Sequence, residues 1–198
     1  MHPYSININD KAKIYWIIVP LSLLCGYLTN QLLKSIPAYE HYSWIVDIPS
    51  SGIAYLVIFY QVFDKFVWRW LVNRKIWFQT PVISGTYTGQ LFSSIDGKIM
   101  PTNITVKIEQ TLSKIRISLS TQQSTSKSEM AAISTDEPDG PLLIYEFLND
   151  HRKVSDPNLT IHRGTARLTY NESNKSLIGT YYTSPERGNY GEIKAYKN

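Results

Sequence analysis

From Ile14 to Leu33 the chain runs for twenty residues without a charged side chain, and Lys13 and Lys34 close the run at its two ends. A helix of that length rises about 30 Å, the thickness of a bilayer's hydrocarbon core. A second uncharged run, Ile48 to Phe63, stops at Asp64 and Lys65, and Pro49 suits its first helical turn. Neither run has the polar face that a soluble helical hairpin needs. Thr29-Asn30-Gln31 is also a poor signal-peptide cleavage site. The expectation is two N-terminal transmembrane helices. Tyr15, Trp16, Tyr39, Tyr42, Trp44, Trp68 and Trp70 lie near their ends as interfacial aromatics do.

Charge sets the expected orientation. Lys11 and Lys13 precede the first run, and Lys65, Arg69, Arg74 and Lys75 follow the second, whereas Lys34 stands alone between them against Glu40 and Asp47. The positive-inside rule then puts both termini in the cytoplasm. Residues 1–76 hold seven Lys/Arg and four Asp/Glu; residues 77–198 hold thirteen and twelve. The excess charge therefore sits beside the apolar runs and suits a membrane surface better than a nucleic-acid polymer. Within the runs Ser22 and Gly26, and Ser50, Gly52 and Ala54, have the small-residue spacing that lets helices pack closely in lipid.

After Gly85 the hydropathy period falls to two. Ile104, Val106 and Ile108 alternate with Thr105, Lys107 and Glu109; Ile115, Ile117 and Leu119 alternate with Arg116 and Ser118. Such alternation marks strands with one buried face. Turn signals such as Asp96-Gly97, Pro138-Asp139-Gly140 and Asn171 to Lys175 recur at short spacing. They divide the region into eight strands near 83–93, 102–110, 113–121, 127–135, 141–148, 163–170, 175–183 and 189–197. Eight short strands joined mostly by hairpins predict an eight-stranded antiparallel up-and-down β-barrel, with an open sandwich as the competing architecture. The domain reading is thus residues 1–78 as a two-helix membrane region with a juxtamembrane linker, and 79–198 as a cytoplasmic ligand-binding barrel. Gly179 and Gly85, beside Tyr181 and Tyr87, read as barrel corners or as space left for a ligand.

No catalytic constellation is visible, and an enzyme is not expected. The histidines His2, His41, His151 and His162 have no carboxylate or cysteine at metal-ligand spacing, and Cys25 is the single cysteine. Neither a metal nor a cofactor is predicted. The barrel region offers tyrosine and arginine instead. Aromatic faces stack on nucleobases and arginine pairs with phosphate, so Tyr87, Tyr145, Tyr181, Tyr190 and Arg187 are the candidate ligand residues. Against this, tyrosine is a favoured strand residue and arginine an ordinary surface one.

The helix pair, the Trp- and Arg-rich junction from Trp68 to Phe78 and the compact barrel follow in an order that is itself distinctive. Trp77, Pro81, Gly85, Tyr87 and Gly89, then Gly179-Thr180-Tyr181-Tyr182 and Arg187 to Gly191, are its local marks. In these the chain resembles the two-transmembrane, β-strand-rich effectors associated with CD-NTase enzymes in bacterial CBASS anti-phage operons. The resemblance implies a barrel that binds a cyclic oligonucleotide, and a dinucleotide is the expected form. It implies a homo-oligomer formed on activation, disruption of the lipid of the bacterial inner membrane and death of the infected cell. A lipocalin-like, membrane-tethered carrier of an apolar ligand is the competing function.

Overall fold

The computed structural model describes residues 1–198 apart from 37–47, 96–97, 123, 152–160 and 186–187. In chain order come β1 (His2–Pro3), α1 (Ile8–Lys34), α2 (Ile48–Val62), a π-helical turn (Phe63–Val67) and α3 (Trp68–Asn73). Eight strands follow: β2 (Gly85–Ile95), β3 (Lys98–Gln110), β4 (Lys114–Ser120), β5 (Ser124–Ser134), β6 (Leu142–His151), β7 (His162–Asn171), β8 (Ser176–Thr183) and β9 (Tyr190–Lys197). The chain forms two compact units, Met1–Asn7 with Gln79–Asn198, and Ile8–Phe78.

In the first unit every strand from β2 to β9 pairs antiparallel with its neighbour in sequence, and β9 returns to β2 from Tyr87↔Lys197 to Ser93↔Gly191. Pairing the first strand to the last closes the sheet, so the expected eight-stranded up-and-down barrel is present and no sandwich edge remains. Alternation does what it predicts: Ile115, Ile117 and Leu119 point inward and are buried, while Arg116 stands outside.

One seam of the barrel is short. β4 and β5 pair over only three positions, Ser118–Ser120 against Lys127–Thr125. Where they diverge the N-terminal residues enter. His2 and Pro3 pair with Ile115 and Lys114 on one side. On the other side the Ser5 amide donates to the Ala131 carbonyl at 3.1 Å, and the Ile133 amide donates to the Ser5 carbonyl at 2.9 Å. Tyr4 and Ile6 are buried there. Gln110, 1 % exposed, ties this segment to the chain that leads into β2. Its Nε2 donates to the Tyr4 hydroxyl at 3.0 Å and to the Pro81 carbonyl at 3.1 Å, and its Oε1 accepts the Ile83 amide at 2.9 Å. Asn7 Nδ2 donates to Gln79 Oε1 at 3.1 Å.

In the second unit the buried residues of α1 recur every four positions: Ile14, Ile18, Ser22, Gly26 and Asn30. α1 packs on α2, with Thr29 Oγ1 2.7 Å from the Tyr55 hydroxyl and Gly52 facing Leu23. Ser22, Gly26 and Gly52 are therefore buried within the helical unit of a single chain; Ala54 is exposed, and the Ser50 side chain lies outside the described residues. Phe63 and Trp68 are both buried although five residues apart. The π turn makes this possible, since its i→i+5 bond from the Trp68 amide to the Phe63 carbonyl brings that spacing round to one face.

The expected pair of transmembrane helices is corrected by the structure. Among the described residues one helix segment, Ala12–Lys34, is long and apolar enough to cross a membrane. The second uncharged run yields α2, 15 residues long. At 1.5 Å per residue that is about 22 Å, short of a hydrocarbon core of about 30 Å. Asp64 and Lys65 follow in the π turn, so the run ends in charge before it is long enough. The expected two-helix, multi-pass arrangement is not found among the described residues.

The Gln110 contacts generate a stability prediction. Gln110→Leu keeps the side-chain volume but strands the buried Ile83 amide and the Pro81 carbonyl. Leaving such groups unpaired costs about 1–3 kcal/mol. Urea unfolding of the full chain in detergent should show a loss of that size. An unchanged midpoint would mean that the amide carries no structural load.

Candidate ligand-binding site

The eight strands give the barrel an interior with two different ends. Toward the strand ends near β1 the inward side chains are large and apolar: Val106, Ile115, Leu168 and Leu177 are fully buried, with Tyr87 among them. Toward the opposite end the inward positions turn small and polar. Ser93, Ser126 and Thr183 are buried there, and Asn149, His162, Gly164 and Gly191 lie on the same face of their strands. Directly paired residues of antiparallel strands point to the same side, so the register orders this mouth. Ser126, Asn149 and His162 form one rung; Phe147, Gly164 and Thr183 the next; Tyr145, Ala166, Tyr181, Gly191 and Ser93 the third.

Glycines set where the aromatic rings lie. A Cβ on Gly164 would stand 2.5 Å from Phe147 Cζ and 2.6 Å from the Tyr182 carbonyl oxygen, and one on Gly191 would stand 1.8 Å from the Phe92 carbonyl oxygen and 2.9 Å from Tyr181 Cε1. Any side chain at either position would push a ring out of place. Gly179 meets backbone alone: a Cβ there would run into the Arg167 carbonyl oxygen and the backbone of Leu168, with no ring beside it. It serves close approach of two strands, so corner geometry and not ligand space explains it.

The five candidate residues separate accordingly. Tyr145 and Tyr181 share a rung, with Ala166 between them, and both are buried. Tyr87 lies at the apolar end, and its hydroxyl donates to the Ile83 carbonyl at 2.8 Å. Tyr190 is 67 % exposed and faces outward beside Tyr182. Arg187 falls outside the described residues. Burial pushes the Tyr145 hydroxyl well above the ordinary tyrosine value, and burial with a smaller contribution from Tyr170 does the same to Tyr87. Both stay neutral hydrogen-bonding groups at physiological pH.

Sequence reasoning passed over Asn149, Ser126, Phe147 and Gly164, and named His162 and Gly191 without placing them at the ligand. The signal was present as parity: polar or glycine residues in the inward register of strands whose other inward residues are apolar. Asn149 Nδ2 lies 3.2 Å from His162 Nε2, while Asn149 Oδ1 is buried without a hydrogen-bond partner. A separate groove of about 650 Å³ runs over the outside of β2, β3 and β4, lined by Thr88, Gln90, Asn103, Thr105 and Ser120 among others. It is open, and no aromatic ring lines it. Among the described residues no group of three or more His, Cys, Asp or Glu is placed to hold a metal ion.

A small closed barrel with a packed apolar floor and a mouth of amides, hydroxyls and ordered rings has the make-up of a receptor for one small polar ligand. Comparison with known families agrees. Residues 78–197 match the family described as Cap15, cyclic dinucleotide receptor domain, and the chain belongs to that family. It is similar to CD-NTase-associated protein 15 of Yersinia aleksiciae, with 37% identity over 88 residues, or 44% of this chain and 42% of that protein. The protein of the same name from Staphylococcus schleiferi is 29% identical over 143 residues, covering 72% of this chain and 75% of that one. The first alignment thus spans less than half of the relative's length, and the second three quarters. The expected CBASS effector family is borne out, and it is a family of receptors rather than enzymes.

The tyrosines generate a pH prediction. Tyr87, Tyr145 and Tyr170 all have raised values, chiefly through burial. The unfolded chain releases these protons near pH 10, whereas the folded barrel holds them. The stability they lend is therefore complete below about pH 10 and is lost as pH rises through the higher folded values. Chemical unfolding midpoints should be level from pH 8 to 9 and fall steeply above 10. A midpoint unchanged at pH 11 would show that these hydroxyls ionise as readily in the barrel as out of it.

Proposed function

We propose that the barrel binds a cyclic dinucleotide at its polar mouth, and that the chain is a membrane-attached effector of anti-phage defence which self-associates and damages the inner membrane when the ligand arrives. The observation that carries this reading is the change of lining along the interior, from apolar floor to a mouth holding Phe147 and Tyr181 against glycine backbones. Flat rings offer stacking faces to bases, while serine, threonine and asparagine offer partners to sugar and base edges. Arg187 is assigned to phosphate. A carrier of apolar ligands would be lined by aliphatic groups up to its opening, and this barrel is not.

Attachment to the membrane rests on α1. Leu21, Leu23, Leu24, Leu28 and Leu32 are exposed along it, and Trp16, in its N-terminal half, is 80 % exposed. An apolar helix surface of this extent calls for lipid cover. Both chain ends belong to the barrel unit, which is the unit that meets the ligand. A nucleotide made in the cytosol requires the barrel to be in the cytoplasm.

Two measurements test the reading. A ligand that binds only the folded state adds about 2.7 kcal/mol of stability at one hundred times its dissociation constant. The full chain in detergent should therefore melt higher with at least one cyclic dinucleotide, and reconstituted vesicles should leak dye only when that nucleotide is added. No shift with any cyclic dinucleotide, or a shift with fatty acids instead, would overturn the receptor. Leakage without ligand would overturn the switch. Independently, Cys25, the single cysteine, sits in the apolar helix. A nitroxide attached to it should be reached by dissolved oxygen and shielded from aqueous relaxation agents; equal access by the aqueous agent would place α1 in water.

A further inference from the structure

The geometry points to Asn149, held by His162, as the residue that distinguishes one nucleobase from another in this barrel. The inference rests on the receptor reading above and names the part of the ligand that is recognised.

Asn149 is inward-facing on β6, opposite Ser126 on one neighbouring strand and His162 on the other. Its amide is half committed. Nδ2 meets the His162 ring at 3.2 Å, and Oδ1 is buried with no partner. Turning the amide over would only exchange which end is engaged, so one polar end stays unspent in either orientation. A buried amide end without a partner is costly, and such groups persist where a ligand completes them. The neighbouring rung supplies the rest of a base site. Phe147 lies two residues away on the same face, about 7 Å along the strand, and its ring is laid against Gly164. A base stacked on that ring would bring its edge to the Asn149 amide.

The chemistry of the group selects the base over the phosphate. A carboxamide is neutral, and a phosphate calls for a cation. With Nδ2 taken by His162, Oδ1 acts as a single acceptor and seeks an N–H on the base edge. Bases differ in where they carry that N–H: a ring nitrogen in uracil, an exocyclic amino group in adenine and cytosine, and both in guanine. One fixed acceptor at one depth therefore favours one placement. Sites built to hydrogen-bond a ligand group reject analogues that lack it far more strongly than apolar pockets reject a change of size.

The test is a binding panel of cyclic dinucleotides with guanine, adenine and uracil bases, read by calorimetry on the full chain in detergent. The wild type should prefer some members of the panel. Asn149→Leu should lower affinity for the preferred ligand tenfold to a hundredfold and bring the panel toward equal affinity. Its ligand-free melting temperature should not fall, because an unpaired amide has been removed. Asn149→Ser, a smaller polar change, should lose the same selectivity, and His162→Leu, which frees the amide to turn, should blur it. Selectivity and affinity within twofold of wild type in both Asn149 variants would overturn the assignment and leave the receptor standing. A wild-type chain that binds no member of the panel would overturn both.

Discussion

One buried amide joins the parts of the barrel that the chain would otherwise leave apart. Gln110 holds Tyr4 of the N-terminal segment and the Pro81 and Ile83 backbone of the segment entering β2. Those two stretches lie on either side of the whole helical unit in sequence. Without the amide, the gap between β4 and β5 would be lined by Ile115, Leu112 and Ile133 and covered by a short peptide with few bonds of its own. In a small barrel most stability comes from completing the core, and here completion depends on a residue pair separated by more than a hundred positions.

The interior is graded along its axis. Near Gln110 its inward side chains are isoleucine, leucine and the ring of Tyr87, all buried. At the other end serine, threonine, glycine and asparagine replace them. A floor of this kind excludes water from beneath a ligand and gives the mouth a rigid base. The rings of Phe147 and Tyr181 are then positioned by what the glycines lack, which holds a flat surface in place without ordering a long side chain.

Much of this was legible in the sequence, and the failures have physical causes. Period-two alternation gave all eight barrel strands within a few residues of their bounds, because a strand with one buried face has little freedom in how it is written. The helical half misled because absence of charge was weighed above length: the second run is shorter than the first, and the helix from Ile48 is 15 residues long. β1 was not legible at all, since two paired residues that include a proline carry no alternation. In the site, the strand limits read as 141–148 and 163–170 stopped one residue short at Asn149 and His162, the two that meet across the pair. Tyrosine was counted by type, whereas parity decides its role. Ile193 and Ala195 point inward, so Tyr190 on the opposite parity points outward.

Asn7 and Gln79 are hydrogen-bonded to each other, so the seventy-one residues between them form an insertion whose two ends meet. Inserted segments with adjacent ends can be exchanged or removed with little strain on the host. A water-soluble form of the barrel is therefore obtained by excision, with Asn7 rejoined to Gln79 through a short flexible link. Simple truncation before Gln79 would instead discard β1 together with the helices and leave the seam between β4 and β5 open as an unpaired edge.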